Sequence, residues 1–307
     1  MTEIMKNEGD TRCGYVALVG APNAGKSTLL NQLVGAKIAI VSPKVQTTRA
    51  RVTAIAIEEN SQIIFVDTPG IFKPTRRLEK AMVEAAWTGA QDADRIVLIV
   101  DAVKGITKDV QRIIDGLKKY ERRAHVILNK IDVIRRDTLL GLTQKLSEQE
   151  VFDDIYMVSA LNGDGVDDLR RALGQQMPEG PWLYPEDQLA LAPMRQLAAE
   201  ITREKLFLRM NQELPYSLTV ETESWEERKD GSVKIQQVIY VSRANYKPMV
   251  LGKGGQTIKK IGAMSREDLE ESLGRRVHLF LFVKVREKWL DDPERYREMG
   301  LEFPKDV

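Results

Sequence analysis

Through the first half of the chain, brief apolar runs alternate with longer stretches in which apolar positions recur every three or four residues. The runs Tyr15–Val19, Ile63–Val66, Ile96–Val100, Val126–Leu128 and Tyr156–Val158 are too short for helices. Several are apolar throughout, as strands covered on both faces should be. Val52–Ile57 alternates instead, which suits an edge strand or a less covered one. Between them, Lys26–Val34, Arg76–Ala90, Lys108–Lys119, Leu139–Gln149 and Gly165–Gln176 carry helical periodicity. This alternation predicts an α/β fold: a mostly parallel sheet with helices on both faces and a ligand site at the carboxyl ends of its strands.

The pattern breaks at Met177–Pro185, where Pro178, Pro181, Pro185 and Gly180 cannot continue a helix. A different order follows. Pro193–Glu213 reads as a helix, and Ser217–Trp225 and Val233–Val241 read as strands joined through Lys229-Asp230-Gly231-Ser232. Two helices flank Gly252-Lys253-Gly254-Gly255, and Arg276–Val285 alternates with Val277, Leu279, Leu281 and Val283 on one face. The expected division is a flexible tail at 1–12, an α/β domain at 13–177, a linker at 178–192 and an α+β domain with a carboxyl tail at 193–307.

Composition changes this picture little. The 307 residues suffice for two cores, and 43% hydrophobic with 30% charged residues is ordinary for a folded protein. The single cysteine, Cys13, placed in the tail before the first strand, excludes an internal disulfide, and two histidines make a zinc site improbable. Residues 1–12 lack the apolar core of a signal peptide, and no run approaches the ~18 apolar residues of a membrane span. A cytoplasmic location is the expectation. Net charge is only +1.

The chemistry lies at strand ends. Gly20-Ala21-Pro22-Asn23-Ala24-Gly25-Lys26-Ser27 follows the first strand, opens the first helix and matches G-x-x-x-x-G-K-[ST] in that context. Glycines let the backbone wrap phosphates, whose charge meets amide N–H groups and a helix amino terminus. Lys26 reaches the β- and γ-phosphates, and the Ser27 hydroxyl ligates Mg²⁺. Gly20, Asn23, Ala24, Gly25 and Thr28 complete the candidate loop contacts. Asp67-Thr68-Pro69-Gly70 follows the strand at Ile63–Val66. There Asp67 can hold the Mg²⁺ shell through water, and the Gly70 N–H can sense the γ-phosphate. Asn129-Lys130-Ile131-Asp132 ends another strand. Its Asp132 carboxylate can accept from guanine N1 and N2, whereas adenine has no such donor pair and would leave the acid unpaired. Asn129 would touch N7 and the Lys130 stem would cover the ring. Ser159-Ala160-Leu161 ends the last strand and offers the Ala160 N–H to guanine O6.

These four motifs, in this order, resemble the translation-factor-related class of P-loop GTPases. That resemblance implies a switch threonine in Gln46-Thr47-Thr48-Arg49, with Thr48 closing on Mg²⁺ in the triphosphate state and Thr47 the runner-up. Lys26, Thr48 and Gly70 are then the residues that bear on hydrolysis. Many such GTPases position the attacking water with a glutamine after the D-x-x-G glycine. Here Ile71 stands there and can neither orient nor deprotonate water, so intrinsic hydrolysis is expected to be slow. GTPases with a hydrophobic residue at that position and an asparagine in the phosphate loop include potassium-dependent members. Asn23 makes K⁺ the candidate substitute for an arginine finger.

Met249–Gly262 resembles the helix–G-x-x-G–helix of a KH domain. In that fold the loop clamps the backbone of single-stranded nucleotides beside an apolar groove. Gly252, Lys253, Gly254, Gly255, Lys259 and Lys260 are the implied RNA contacts. The order helix, strand, strand, helix, helix, strand is that of a type II KH domain. From Arg243 to Lys288 eleven basic residues face five acidic ones, so the near-zero total conceals a basic segment.

A GTPase domain followed by a type II KH domain resembles the bacterial Era family over about Gly14 to Lys288. The resemblance implies a monomeric GTP-dependent switch that binds the 3′ end of 16S ribosomal RNA and assists assembly of the small ribosomal subunit. It also implies peripheral membrane association, which here would be electrostatic and weak. Two alternatives stand beside it: a signalling GTPase whose second domain binds protein, and a constitutive RNA-binding protein with a structural nucleotide site.

Overall fold

The computed structural model describes residues 11–44, 47–191, 194–211, 214–287 and 289–304. Residues 1–10 of the expected tail, Gln46, Pro193, Glu213 and Lys288 lie outside the described residues. The chain divides into two compact units, 1–38 with 48–191 and 299–307, and 39–47 with 192–298.

The first unit is a six-stranded sheet built from β1 (Arg12–Gly20), β2 (Val52–Glu58), β3 (Ser61–Asp67), β4 (Arg95–Asp101), β5 (Ala124–Asn129) and β6 (Phe152–Val158). Their order is β2-β3-β1-β4-β5-β6. All neighbours run parallel except β2, which pairs antiparallel with β3 at the sheet edge, where its alternating pattern placed it. The helices are α1 (Lys26–Val34), α2 (Arg77–Asp92), α3 (Lys108–Lys119), α4 (Arg136–Ser147) and α5 (Val166–Gln175). Val16 to Val19 and Ile96 to Val100 are essentially inaccessible, as continuously apolar central strands require. After β3 the chain crosses to the far side of β1, so the ends of β1, β3 and β4 border the crevice where α/β sheets bind ligands.

Strand β1 begins at Arg12, and Cys13 is therefore a strand residue, its thiol 3.5 Å from Gln62 Oε1, rather than part of a tail. Segment 178–191 is bonded to the first unit. Gln62 Nε2 donates to the Tyr184 carbonyl at 2.7 Å, and the N–H of Ile55 donates to the Leu189 carbonyl at 2.9 Å. Residues 299–304 return to the same unit, where Leu301 is buried and the Arg77 guanidinium lies 4.9 Å from the Phe303 ring centroid.

The second unit runs α6 (Met194–Arg209), β7 (Leu218–Glu227), β8 (Val233–Val241), α7 (Tyr246–Leu251), α8 (Gln256–Leu273), β9 (Val277–Val285) and α9 (Pro293–Glu298). Strand β8 pairs antiparallel with β7 and parallel with β9. Asp230 closes the hairpin by accepting from the Ser232 N–H at 3.0 Å, with Gly231 at φ 79°. Leu206, Leu218, Ile239, Val250, Ile261 and Val283 form the centre of one core cluster. Trp289 and Tyr296, in what reads from sequence as a tail, are fully buried. Among the described residues no helix is long and apolar enough to cross a membrane.

Candidate functional site: a nucleotide pocket and an open glycine loop

The loop between β1 and α1 is held in left-handed conformations by Asn23 (φ 62°) and Gly25 (φ 98°). A Cβ at Gly25 would lie 2.2 Å from Asn129 Nδ2, so only glycine fits. The turn aims the first N–H groups of α1 into the loop, the arrangement that receives anions. Lys26 is buried, and its amino group donates to the carbonyls of Gly20 and Ala21, both at 3.2 Å. Burial pushes its pKa down, against the opposing pull of Asp67. Thr28 sits half-buried in the first turn of α1.

Three oxygen-bearing side chains converge beside the loop. Ser27 Oγ and Thr48 Oγ1 lie 2.9 Å apart, and they donate to Asp67 Oδ2 at 2.8 and 3.2 Å respectively. Asp67 is fully buried, and burial raises its pKa although Lys26 and both hydroxyls oppose the shift. Its Oδ1 has no hydrogen-bond partner among the described residues. An orphaned buried carboxylate oxygen beside two hydroxyls is a hard, oxygen-only donor set that fits Mg²⁺. Thr47 points elsewhere and donates to the Lys44 carbonyl at 2.8 Å. Beyond Asp67, the Ile71 N–H donates to the Gly20 carbonyl at 3.1 Å, and Gly70 approaches so closely that a Cβ would meet Pro22 at 3.1 Å. The Ile71 side chain is fully buried in the core of the first unit.

At the other end of the pocket, Asn129 Nδ2 donates to the Ala24 carbonyl at 2.8 Å. Its Oδ1 accepts from the Lys130 and Ala160 N–H groups at 2.8 and 2.9 Å, so the Ala160 amide is already bonded within the protein. Lys130, at φ 70°, extends its amino group to the Asn23 carbonyl at 3.0 Å and to Asp101 Oδ2 at 2.6 Å. Asp132 is exposed on a short turn, and its Oδ1 accepts from Ser159 Oγ at 2.6 Å. No motif in the sequence marks Asp101. Its position at the end of β4, level with Asn129 at the end of β5, was the available signal.

In the second unit, Gly252 (φ 73°), Gly254 (φ 59°) and Gly255 (φ 74°) make the turn between α7 and α8, with the Gly255 N–H donating to the Gly252 carbonyl at 3.1 Å. A Cβ at Gly252 would collide with Thr257 Oγ1 at 2.0 Å. Cβ atoms at Gly254 and Gly255 would meet nothing within 4 Å, so the backbone there faces open space. Lys253, Lys259 and Lys260 are exposed around it, and half-buried Leu251, Ile258 and Leu281 lie on the neighbouring core. This is a loop able to take a phosphodiester backbone beside an apolar shelf for bases.

A phosphate loop, a buried metal-type oxygen set and a strand-end carboxylate for the base define a P-loop GTPase, here joined to a KH domain. Residues 15–130 match the family described as 50S ribosome-binding GTPase, and residues 213–290 match the KH domain family. GTPase Era of Sinorhizobium medicae is 60% identical over 295 residues, 96% of this chain and 95% of that protein. A crystal structure of an Aquifex aeolicus Era variant bound to GDP and AlF4⁻ is 40% identical and matches at a TM-score of 0.89, covering 94% of this chain and 99% of that one. Era in complex with MgGDPNP and nucleotides 1506–1542 of 16S ribosomal RNA matches equally. The chain belongs to the Era family and is a GTPase.

Proposed function

We propose that the chain is a GTP-driven switch that binds the 3′ end of 16S ribosomal RNA in the cytoplasm and assists assembly of the small ribosomal subunit. The observation that carries this reading is the open Gly252–Gly255 loop, flanked by Lys253, Lys259 and Lys260, in a chain that matches an RNA-bound Era over 94% of its length. The triphosphate is read as lying along Gly20–Ser27, with the α1 amides on its phosphates and Lys26 turned from the Gly20 and Ala21 carbonyls to the β- and γ-oxygens. Ser27, Thr48 and Asp67 would hold Mg²⁺, which when bound neutralises charge on the β- and γ-phosphates. Thr48 and the Gly70 N–H report whether the γ-phosphate is present. Asp132 accepts from guanine N1 and N2 through the oxygen that Ser159 leaves available, and the Lys130 stem covers the ring. With Ile71 turned into the core, no side chain directly after Gly70 reaches the attacking water. K⁺ near Asn23 is the proposed aid to hydrolysis.

The test is the affinity for a 16S 3′-end oligonucleotide with a GTP analogue and with GDP. Tighter binding in the analogue state is expected. No RNA binding would overturn the ribosomal reading, and equal binding in both states would overturn the switch. Replacing K⁺ with Na⁺ should slow turnover, and unchanged turnover removes K⁺ from the account.

A further inference from the structure

Asp101 is the last residue of β4, and the turn that follows fixes its carboxylate. Its Oδ1 accepts from the Val103 N–H at 3.1 Å, the turn that aspartate forms with a backbone amide two residues on. Its carbonyl accepts from the Lys104 and Gly105 N–H groups at 3.0 and 2.9 Å. The side chain is only 8% exposed, and its Oδ2 accepts from the Lys130 amino group at 2.6 Å. The Lys104 amino group stands farther off, 4.0 Å from the same oxygen, on a side chain that is largely in solvent.

This ion pair is not needed to join the strands. The ends of β4 and β5 are already tied by the Ala102 N–H, which donates to the Asn129 carbonyl at 2.9 Å. A partly exposed lysine–carboxylate pair adds little to stability in any case. Its effect falls on Lys130. That residue sits at φ 70°, a conformation that side chains other than glycine rarely adopt, and a lysine side chain loses much rotamer freedom when held. Its amino group bridges Asp101 Oδ2 and the Asn23 carbonyl, the latter at 3.0 Å. The backbone fixes one end of the side chain and this bridge fixes the other, so the four-carbon stem is a span between β5 and the phosphate loop.

We propose that Asp101 is a positioning residue for the nucleotide base. It touches no part of the nucleotide, and it acts by holding the Lys130 stem stretched where the ring is received. With the stem already ordered, binding does not have to freeze it. The inference rests on the reading of Lys130 as the cover of the guanine ring.

The experiment is a double-mutant cycle of Asp101→Ser with Lys130→Met in the full chain, read by GDP affinity and by single-turnover GTP hydrolysis. Serine keeps an oxygen that can accept from the Val103 N–H but does not reach Lys130. Asp101→Ser is expected to weaken GDP binding about tenfold, the scale of releasing one lysine side chain. The half-saturating GTP concentration should rise by the same factor while the plateau rate of hydrolysis holds. In the Lys130→Met background Asp101→Ser should have no further effect. Additive losses, parental GDP affinity, or a fall confined to the plateau rate overturns the proposal. Lys130→Met binding GDP like the parent overturns the Lys130 reading itself and the proposal with it. Should Asp101→Ser fail to fold, Asp101→Asn removes the charge with least change of shape, and an additive result in its cycle with Lys130→Met overturns the proposal equally.

Discussion

Asn129 and Ala24 are 105 residues apart in the chain, and the Asn129 Nδ2 donates to the Ala24 carbonyl at 2.8 Å. The same amide accepts from Lys130 and Ala160 through its oxygen. One side chain thereby ties the Gly20–Ser27 loop to the loops that follow β5 and β6.

Replacing Asn129 with alanine leaves the Ala24 carbonyl and two amides without their partner. Each buried polar group so stranded costs about 1–3 kcal/mol. Asn129→Ala should therefore lose roughly 3 kcal/mol of unfolding free energy and bind GDP and GTP at least about a hundredfold more weakly. Chemical denaturation and fluorescent-nucleotide titration measure the two quantities. Parental affinity in a destabilised variant would show that the amide serves the fold alone.

Ile71 occupies the position where many GTPases carry a glutamine, and the obvious engineering step is to restore it. The structure argues against success. Ile71 is fully buried in the core cluster that also holds Ala17, Val19, Leu98 and Val110, and its backbone N–H donates to the Gly20 carbonyl. Ile71→Gln places an amide among apolar side chains, at a cost of about 1–3 kcal/mol. A lower thermal midpoint without faster turnover is expected. Accelerated single-turnover hydrolysis would mean that the residue swings out of the core during the reaction.

The phosphate loop, the strand-end motifs and the glycine loop were legible in the sequence because each is local: a few consecutive residues at a known place between a strand and a helix. The strand and helix order was legible for the same reason, since periodicity reports burial residue by residue. Relationships between distant residues were not. Nothing in the sequence near Lys130 names Asp101 as its partner 2.6 Å away. Nothing around Val41 and Lys44 says that a loop inside the GTPase sequence is gripped by α6, which follows more than 150 residues later. Trp289 was equally hidden, because its indole Nε1 bonds to the Ser217 carbonyl at 3.3 Å from a stretch with no periodic pattern of its own.

Asp132 offers a direct test of base recognition. One of its oxygens accepts from Ser159 Oγ, and the other is the one the proposed reading assigns to the base. Asp132→Asn replaces an acceptor with a donor where guanine N1–H and N2–H also donate. It retains a fit for xanthine, which presents a carbonyl at C2. Guanine nucleotides should bind at least about a hundredfold more weakly, the scale set by leaving a designed polar pair unmatched, while xanthine nucleotides bind more tightly than to the parent. Competition titration with GDP and xanthosine diphosphate decides, and retained guanine preference would remove Asp132 from the base site.

The two ends of the glycine loop should respond differently to substitution. At Gly252 any side chain collides with Thr257 Oγ1, which shifts the start of α8, so Gly252→Ala should lower stability and RNA affinity together. At Gly254 a Cβ meets no neighbour, and aspartate is among the residues that tolerate a left-handed backbone. Gly254→Asp should then fold normally and place a carboxylate where the phosphodiester backbone approaches. RNA affinity is expected to fall about tenfold or more, as a like-charge contact in a partly desolvated site requires, with GTP turnover measured without RNA unchanged. Gel-shift titration alongside a turnover assay separates the two readouts. If turnover falls with RNA affinity, the nucleotide site and the glycine loop are not separable; if RNA affinity holds, the Gly252–Gly255 loop is not where the RNA backbone lies.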